Sequence, residues 1–289
     1  MNKGIALITG CSTGIGRELA QQLVSRGWRV YAGARRPEVL ADLAGDDLIP
    51  LQLDVNEPTH LQQALELITA KSGRLDLLVN NAGYGAMGPL VEMPLSEVRQ
   101  QFETNLFAPL ALIQTMLPLL QRSQQERPNQ QAQVVNIGSV SGVLTTPFSG
   151  AYCATKAALH KLSDALRMEL APFGIDVVTI QPGAIESEFG NNAARTLAAT
   201  LPAESLYDPI RSYIEKRAQA SQNKPTPAAT FVQELLTSLE RRQPPAVKRI
   251  GHGSTLLPLI KRLLPERLLD RILSKSFGLS QLKQLKRSA

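Results

Sequence analysis

With 289 residues, 43% hydrophobic and 4% aromatic, the chain is long enough to bury one large core and has no apolar run of the roughly eighteen residues a membrane span needs. The net charge of +6 is unevenly spread: from Arg241 onward twelve Lys and Arg face two acids, Glu266 and Asp270, leaving 19 basic and 23 acidic residues in the first 240. The body is thus mildly acidic, and with no Cys/His finger, RNP aromatic pattern or basic heptad array, nucleic acid is excluded as an expected partner.

Lys3 and the apolar residues after it are too short a stretch for a secretory segment and read as a buried first strand. Short apolar runs at 4–9, 29–34, 48–53, 75–80, 132–137 and 175–180 alternate with helical periods such as 15–26 and 58–71, the pattern of a doubly wound parallel sheet with helices on both faces. Residues 121–133 are polar and read as a solvated loop. The texture changes after 180: regular structure is hard to assign from 182 to 205, which suggests a substrate loop. Helical period returns at 227–242, a last edge strand is expected at 246–250, and 256–273 is strongly amphipathic, with Pro265 restarting the helix. The expectation is one α/β domain of about seven strands over 1–255 and a helical extension over 256–289. Cys11 and Cys153 have no disulfide or zinc spacing, and His60, His160 and His252 are isolated, so no metal site is expected and a reducing, cytoplasmic setting fits.

Thr9-Gly10-Cys11-Ser12-Thr13-Gly14-Ile15-Gly16 follows the first strand and opens the first helix. Glycines at 10, 14 and 16 let backbone amides approach a pyrophosphate while the helix N-terminus supplies N–H donors and partial positive charge; without that flanking strand and helix they would be only a Gly-rich turn. The spacing resembles the cofactor fingerprint of the short-chain dehydrogenase/reductase family, whose fold is of the Rossmann type. Further elements of that family follow in order. Asp54-Val55 stands where the family uses an Asp on the adenine edge, Asn80-Asn81-Ala82-Gly83 where it braces the sheet and lines the cofactor, and Pro182-Gly183 closes the sixth strand. Ile185 and Ser187 match its carboxamide contacts, Ser187 replacing the usual Thr.

At the end of the second strand, Ala34-Arg35-Arg36 has no acid to hold a ribose 2′-hydroxyl and two guanidinium groups suited to a 2′-phosphate. NADP(H) is therefore expected, with Arg35 as the principal phosphate ligand and Arg36 and Ser12 as helpers; Arg36 can equally be a solvated residue opening the next helix.

Tyr152 and Lys156 lie four apart in a helical segment and share one face, a spacing usually shared by mere helix neighbours. The resemblance makes them the family's proton-exchanging Tyr and the Lys that lowers its pKa and bonds the nicotinamide ribose. It makes Ser139 the serine that orients the substrate carbonyl, and Asn105 the asparagine that kinks a helix and holds a water on the way from Lys156 to solvent. Gly138 stands where the family more often has a serine, with little expected consequence. Ser141 competes with Ser139 but is out of register, and neither serine forms a nucleophile elbow.

The members closest in texture are the retinol, hydroxysteroid and long-chain aldehyde reductases with a C-terminal extension, which implies NADPH-dependent, reversible reduction of a hydrophobic aldehyde or ketone by a homodimer or homotetramer. A 3-oxoacyl-thioester reductase, and a protein that senses NADP without chemistry, are the rival readings. The tail has three: a packing helix, a lid over an apolar pocket, and a peripheral membrane anchor.

Overall fold

A computed structural model describes residues 3–282; Met1, Asn2 and the 283–289 portion of the expected extension lie outside the described residues. Seven strands, β1 (Ile5–Ile8), β2 (Arg29–Ala34), β3 (Leu48–Gln52), β4 (Leu77–Asn80), β5 (Ala132–Ile137), β6 (Ile175–Pro182) and β7 (Val247–Ile250), form one parallel sheet in the order β3-β2-β1-β4-β5-β6-β7. Both faces are covered, so the inner strands run buried rather than alternating: all four residues of β1 are buried, and five of the six in β2, whereas the edge strand β7 is largely exposed.

One face packs under α1 (Gly14–Ser25) through Leu19, Ala20 and Leu23, and under α8 (Ala228–Leu239) through Phe231, Val232, Leu235 and Leu236. The other packs under α2 (Pro58–Ser72) and α4 (Ala108–Glu126), with Leu61, Ile68, Leu112 and Met116 at its centre. Between α2 and α4 in sequence, α3 (Leu95–Phe102) joins α4 through a π-helical turn over Glu103–Phe107, and α5 (Gly150–Leu170) follows β5.

The order of strands reverses between β1 and β4, so the connections leaving their carboxyl ends run to opposite faces of the sheet and open a crevice there. Asp76, buried at the base of β4, fixes the two strands: Ile5 N donates to Oδ2 at 2.7 Å and the Ser123 hydroxyl to Oδ1 at 2.5 Å, with Arg74 and Arg127 at 3.2 and 3.4 Å.

Two sequence assignments are corrected. The supposed loop at 121–133 is helical as far as Glu126, because the last turns of α4 are anchored by Ser123 on Asp76. Within 182–205, α6 (Phe189–Thr200) is a regular helix that buries Gly190, Ala193 and Leu197. After α7 (Arg211–Ala218), the amphipathic tail is two helices, α9 (Leu256–Leu263) and α10 (Glu266–Ser276), broken by extended backbone at Leu264, with Pro265 at the cap of α10. Leu269 is buried, whereas Leu256, Leu259, Leu263, Leu268 and Ile272 are exposed. Phe277 and Leu282, beyond α10, pack on the cluster that holds Tyr152. No helix among the described residues is long and apolar enough to cross a membrane.

Candidate active site

A continuous cleft of about 1200 Å³ runs along the carboxyl ends of the strands, from the turn after β1 to the end of α10. Its first half is built by the turn from β1 into α1. Gly10 and Gly14 have φ of 70° and 58°, left-handed values that favour glycine. A Cβ on Gly16 would fall 2.4 Å from the Gly10 carbonyl oxygen, so only glycine lets the turn close. Thr13 caps α1 without a side-chain bond and no acid lies in the first turn; with Thr13, Gly14 and Ile15 lining the cleft, the free N–H donors and positive end of α1 are available to an anion. These features fit a pyrophosphate.

The walls around that turn are tied together by hydrogen bonds. The Thr9 hydroxyl accepts from the Asn81 and Ala82 amides at 3.0 and 2.9 Å, and the Asn81 carboxamide donates to the carbonyls of Thr9 and Gly10 at 2.9 and 3.1 Å. Below it Asn80 donates to Asn136 at 2.8 Å, and Asn136 to Ser163 at 2.9 Å, an entirely buried brace. Ser187 lies over the glycine turn, its Cβ 2.9 Å from where a Cβ of Gly14 would be.

Arg35 is exposed and lines the end of the cleft beyond β2; Arg36 is exposed, outside the lining, and opens the short 3₁₀ turn Pro37–Leu40. Asp54 and Val55 line the same region, where Asp54 accepts from its neighbour Asn56 N at 3.0 Å. His60 Nδ1 accepts from the Asp54 amide at 3.1 Å, a local bond from backbone to side chain. Ser12, Gly83, Pro182, Gly183 and Ile185 also line the cleft, whereas Gly16 and Asn105 stand behind its wall.

In the second half, Ser139, Tyr152 and Lys156 converge. Tyr152 and Lys156 lie one turn apart on α5, with the ammonium 6.0 Å from the phenol ring centre, and both are buried. Burial raises the Tyr152 hydroxyl to about 12; the Ser139 hydroxyl and the Arg217 guanidinium pull it the other way by favouring the phenolate. Burial also lowers Lys156 to about 8, since the ammonium has lost water, and its Nζ donates to the Ile137 carbonyl at 2.7 Å. Ser139 Oγ accepts from the Ser141 amide at 3.1 Å, so Ser141 acts through its backbone to aim the other hydroxyl.

Asn105 sits in the π-helical turn between α3 and α4, fully buried. Its carboxamide donates to Tyr84 O at 2.9 Å and to the Thr155 hydroxyl at 3.1 Å, and accepts from Tyr84 N at 3.1 Å. A Cβ on Gly83 would lie 2.9 Å from Asn105 Oδ1 and 3.6 Å from Lys156 Nζ; the bare glycine keeps the space between these groups open.

Gly138 matters more than its sequence position suggested: a Cβ there would be 2.3 Å from His160 Nε2, so the imidazole has taken the place of a side chain. Both thiols are buried. Cys11 donates to the Ile8 carbonyl at 3.2 Å and its pKa is pushed up by burial, removing the reactive thiolate, and Cys153 contacts the Ser149 hydroxyl at 3.3 Å. Sequence reasoning missed the apolar side of the cleft, including Met87, Leu144, Phe189 and Phe277, with the Phe189 ring 5.2 Å from that of Tyr152. It also missed Arg217, which has no motif around it.

The family model for short chain dehydrogenase matches residues 4–198. A short-chain dehydrogenase of Penicillium ochrochloron, ptmH, is 34% identical over 285 residues, covering 97% of this chain and all of its own. The NADPH-dependent 1-acyldihydroxyacetone phosphate reductase of Saccharomyces cerevisiae is 29% identical over 99% of this chain and 95% of its own. Among solved structures, a short-chain dehydrogenase from Streptomyces avermitilis superposes with a TM-score of 0.77 at 30% identity, over 99% of this chain and 98% of the other. Carrying the glycine turn, the seven-stranded parallel sheet and this match over most of its length, the chain belongs to the short-chain dehydrogenase family.

Proposed function

We propose that the protein reduces the carbonyl group of a hydrophobic aldehyde or ketone to the alcohol with NADPH, Tyr152 serving as general acid and, in reverse, as base. The chain is an NADP-dependent oxidoreductase; the exposed Arg35 at the end of β2, with no acid beside it to hold a ribose 2′-hydroxyl, suits a 2′-phosphate. When bound, the dinucleotide supplies or accepts the hydride.

The convergence of Ser139, Tyr152 and Lys156 in one cleft carries this reading. As hydride reaches the carbonyl carbon, negative charge grows on the oxygen. The Ser139 hydroxyl donates a hydrogen bond to it and Tyr152 donates its proton. A phenol held near 12 is protonated at neutral pH, the state that reduction requires. Lys156, fixed on Ile137 O, stabilises the phenolate left behind and holds the nicotinamide ribose, and Asn105 orders the path by which a proton returns from solvent. Gly10, Ser12, Thr13, Gly14, Ile15 and Gly16 hold the pyrophosphate; Asp54 and Val55 meet the adenine. Asn81, Ala82 and Gly83 line the middle of the dinucleotide, and Pro182, Gly183, Ile185 and Ser187 its carboxamide end.

Leu256, Leu257, Leu273 and Phe277 line the cleft from the tail, which supports a lid over an apolar substrate. Both cysteines are free thiols, in keeping with a reducing, cytoplasmic setting; a homodimer or homotetramer rests on the family resemblance alone. The deciding experiment follows NADPH oxidation with a panel of aldehydes and ketones. Tyr152→Phe is expected to bind NADPH normally and lose nearly all turnover, by about a thousandfold or more, judged against the size of general-acid effects. Substantial residual turnover removes Tyr152 from the mechanism.

A further inference from the structure

Arg217, on the last turn of α7, stands in the substrate half of the cleft with no carboxylate paired to it among the described residues. Its Nε donates to the Thr146 hydroxyl at 2.8 Å, which fixes the plane of the guanidinium, and it is partly buried. Among the described residues it makes no ion pair, and Thr146, its one hydrogen-bond partner there, carries no charge to balance it. Burial alone makes the charge less favourable here. Two observations fix its surroundings. The guanidinium lines the same cleft as Tyr152 and is near enough to favour the phenolate, and Met87, Leu144, Phe189, Leu257 and Phe277 give that cleft an apolar side, with Glu188 and Arg195 of the α6 region also in its lining. The nearby Ser221 hydroxyl, on the turn after α7 and also lining the cleft, is buried with no partner among the described residues.

A cation held by its Nε still offers the terminal nitrogens of its fork, the donor arrangement that matches two oxygens of a carboxylate or phosphate. Solvation does not explain it, because a solvated arginine has no need of a fixed seat in an apolar wall. Resting on the reductase reading above, we infer that Arg217 and Thr146 form an oxyanion subsite, so that the substrate is an apolar-tailed carbonyl compound bearing a phosphate monoester or a carboxylate close to its reacting carbonyl.

Binding, measured without turnover, tests this. Calorimetric titration of the NADPH-loaded protein with decyl phosphate, decanoate and 1-decanol compares one apolar tail with two oxyanions and a neutral head. Both anions are expected to bind at least about tenfold more tightly than the alcohol, from the usual strength of charge-assisted hydrogen bonds, and the order of the two tells a phosphate subsite from a carboxylate one. Arg217→Met is expected to lose that preference while 1-decanol changes less than about twofold, since an apolar side chain of similar length keeps the wall. Arg217→Lys falls between, keeping the charge and losing the fork.

Equal binding of the three ligands by the wild type overturns the inference, as does an equal loss for all three in Arg217→Met. Should Arg217→Met fail to melt cooperatively, Thr146→Val, which removes the Nε acceptor, provides the same comparison: a loss confined to the anions supports the subsite and a uniform loss refutes it. A protein that binds the anions but reduces no carbonyl fails the reductase reading alone, and a reductase indifferent to the anionic group fails this inference alone.

Discussion

The imidazole of His160 occupies the volume that a side chain at residue 138 would need. A Cβ on Gly138 would fall 2.3 Å from Nε2 and 2.8 Å from Cδ2 of His160, and one on Gly142 would fall 2.6 Å from its Cε1. The ring is therefore clasped between two glycines that flank Ser139, whose amide donates to Nε2 at 3.4 Å. In this chain the segment that aims Ser139, the serine proposed to orient the substrate, is packed against a histidine at Gly138, where the family more often has a serine.

That exchange predicts coupling between the two sites. Gly138→Ser alone is expected to destabilise by about 1–3 kcal/mol through overpacking. His160→Ala, which empties the space, should make the serine better tolerated, so that the double variant is more stable than the two single losses predict by about 1 kcal/mol. Recovery stays partial, because the same Cβ also lies 2.9 Å from the Ile180 carbonyl oxygen. Urea denaturation of the four proteins decides; simple additivity rejects the packing account.

The same histidine gives the fold an acid limb. Burial, assisted by the Lys156 ammonium, depresses His160 from 6.5 to about 4, so the folded ring stays neutral where the unfolded one takes a proton. Its contribution to stability is complete above pH 6.5 and is lost as pH falls from there towards 4, by up to about 3 kcal/mol from the size of that shift. Denaturation midpoints across this window should fall steeply in the wild type and less steeply in His160→Gln. Parallel curves would mean that other groups cause the loss.

Cofactor choice should reside in Arg35. Replacing it by Asp removes the cation and adds a repelling charge, so the ratio of NADPH to NADH dissociation constants is expected to move towards NADH by about tenfold or more. Arg36→Ala, outside the cleft lining, should move it far less. Fluorescence titration with both dinucleotides provides the measurement, and an unchanged ratio in Arg35→Asp defeats the assignment.

The tail is expected to act on long substrates. Phe277 lines the cleft and packs on the cluster around Tyr152, so Phe277→Ala should raise KM for a long-chain aldehyde by about fivefold, the size of one aromatic contact. A short aldehyde does not reach it and should keep its KM. Deletion after Ser254 should exaggerate the contrast, and equal effects on both chain lengths would leave the tail as packing alone.

What could be read from sequence was whatever chemistry imposes a fixed spacing. The glycines at 10, 14 and 16 and the Tyr152–Lys156 pair are each set by short stretches of chain, Arg35 by its place just after β2, and the sheet declares itself because both of its faces are covered. α6 stayed hidden for a physical reason: its buried residues, Gly190, Ala193 and Leu197, do follow helical spacing, but two of the three are too small to register as apolar. The end of α4 looked like a loop because its partner is a buried carboxylate, which orders polar residues as firmly as a core orders leucines. Arg217 gave no signal at all. It reaches the cleft only because α7 folds across it, and no local pattern encodes that crossing.

The wide turn over Glu103–Phe107 also has a bearing on which insertions and deletions the gene can tolerate. α3 holds the loop after β4 from one side, Gln101 bonding both the amide and the carbonyl of Ala86 at 3.1 and 3.4 Å and Glu97 accepting from the Tyr84 hydroxyl at 2.8 Å. Loss of one residue from 103–107 would let an ordinary helix run straight through, but it would swing everything upstream by about 100° around the axis. Gln101 and Glu97 would turn away from their partners, and the wall beside Gly83 would come loose with no change to any residue that touches a ligand. Length there should be guarded as strictly as composition.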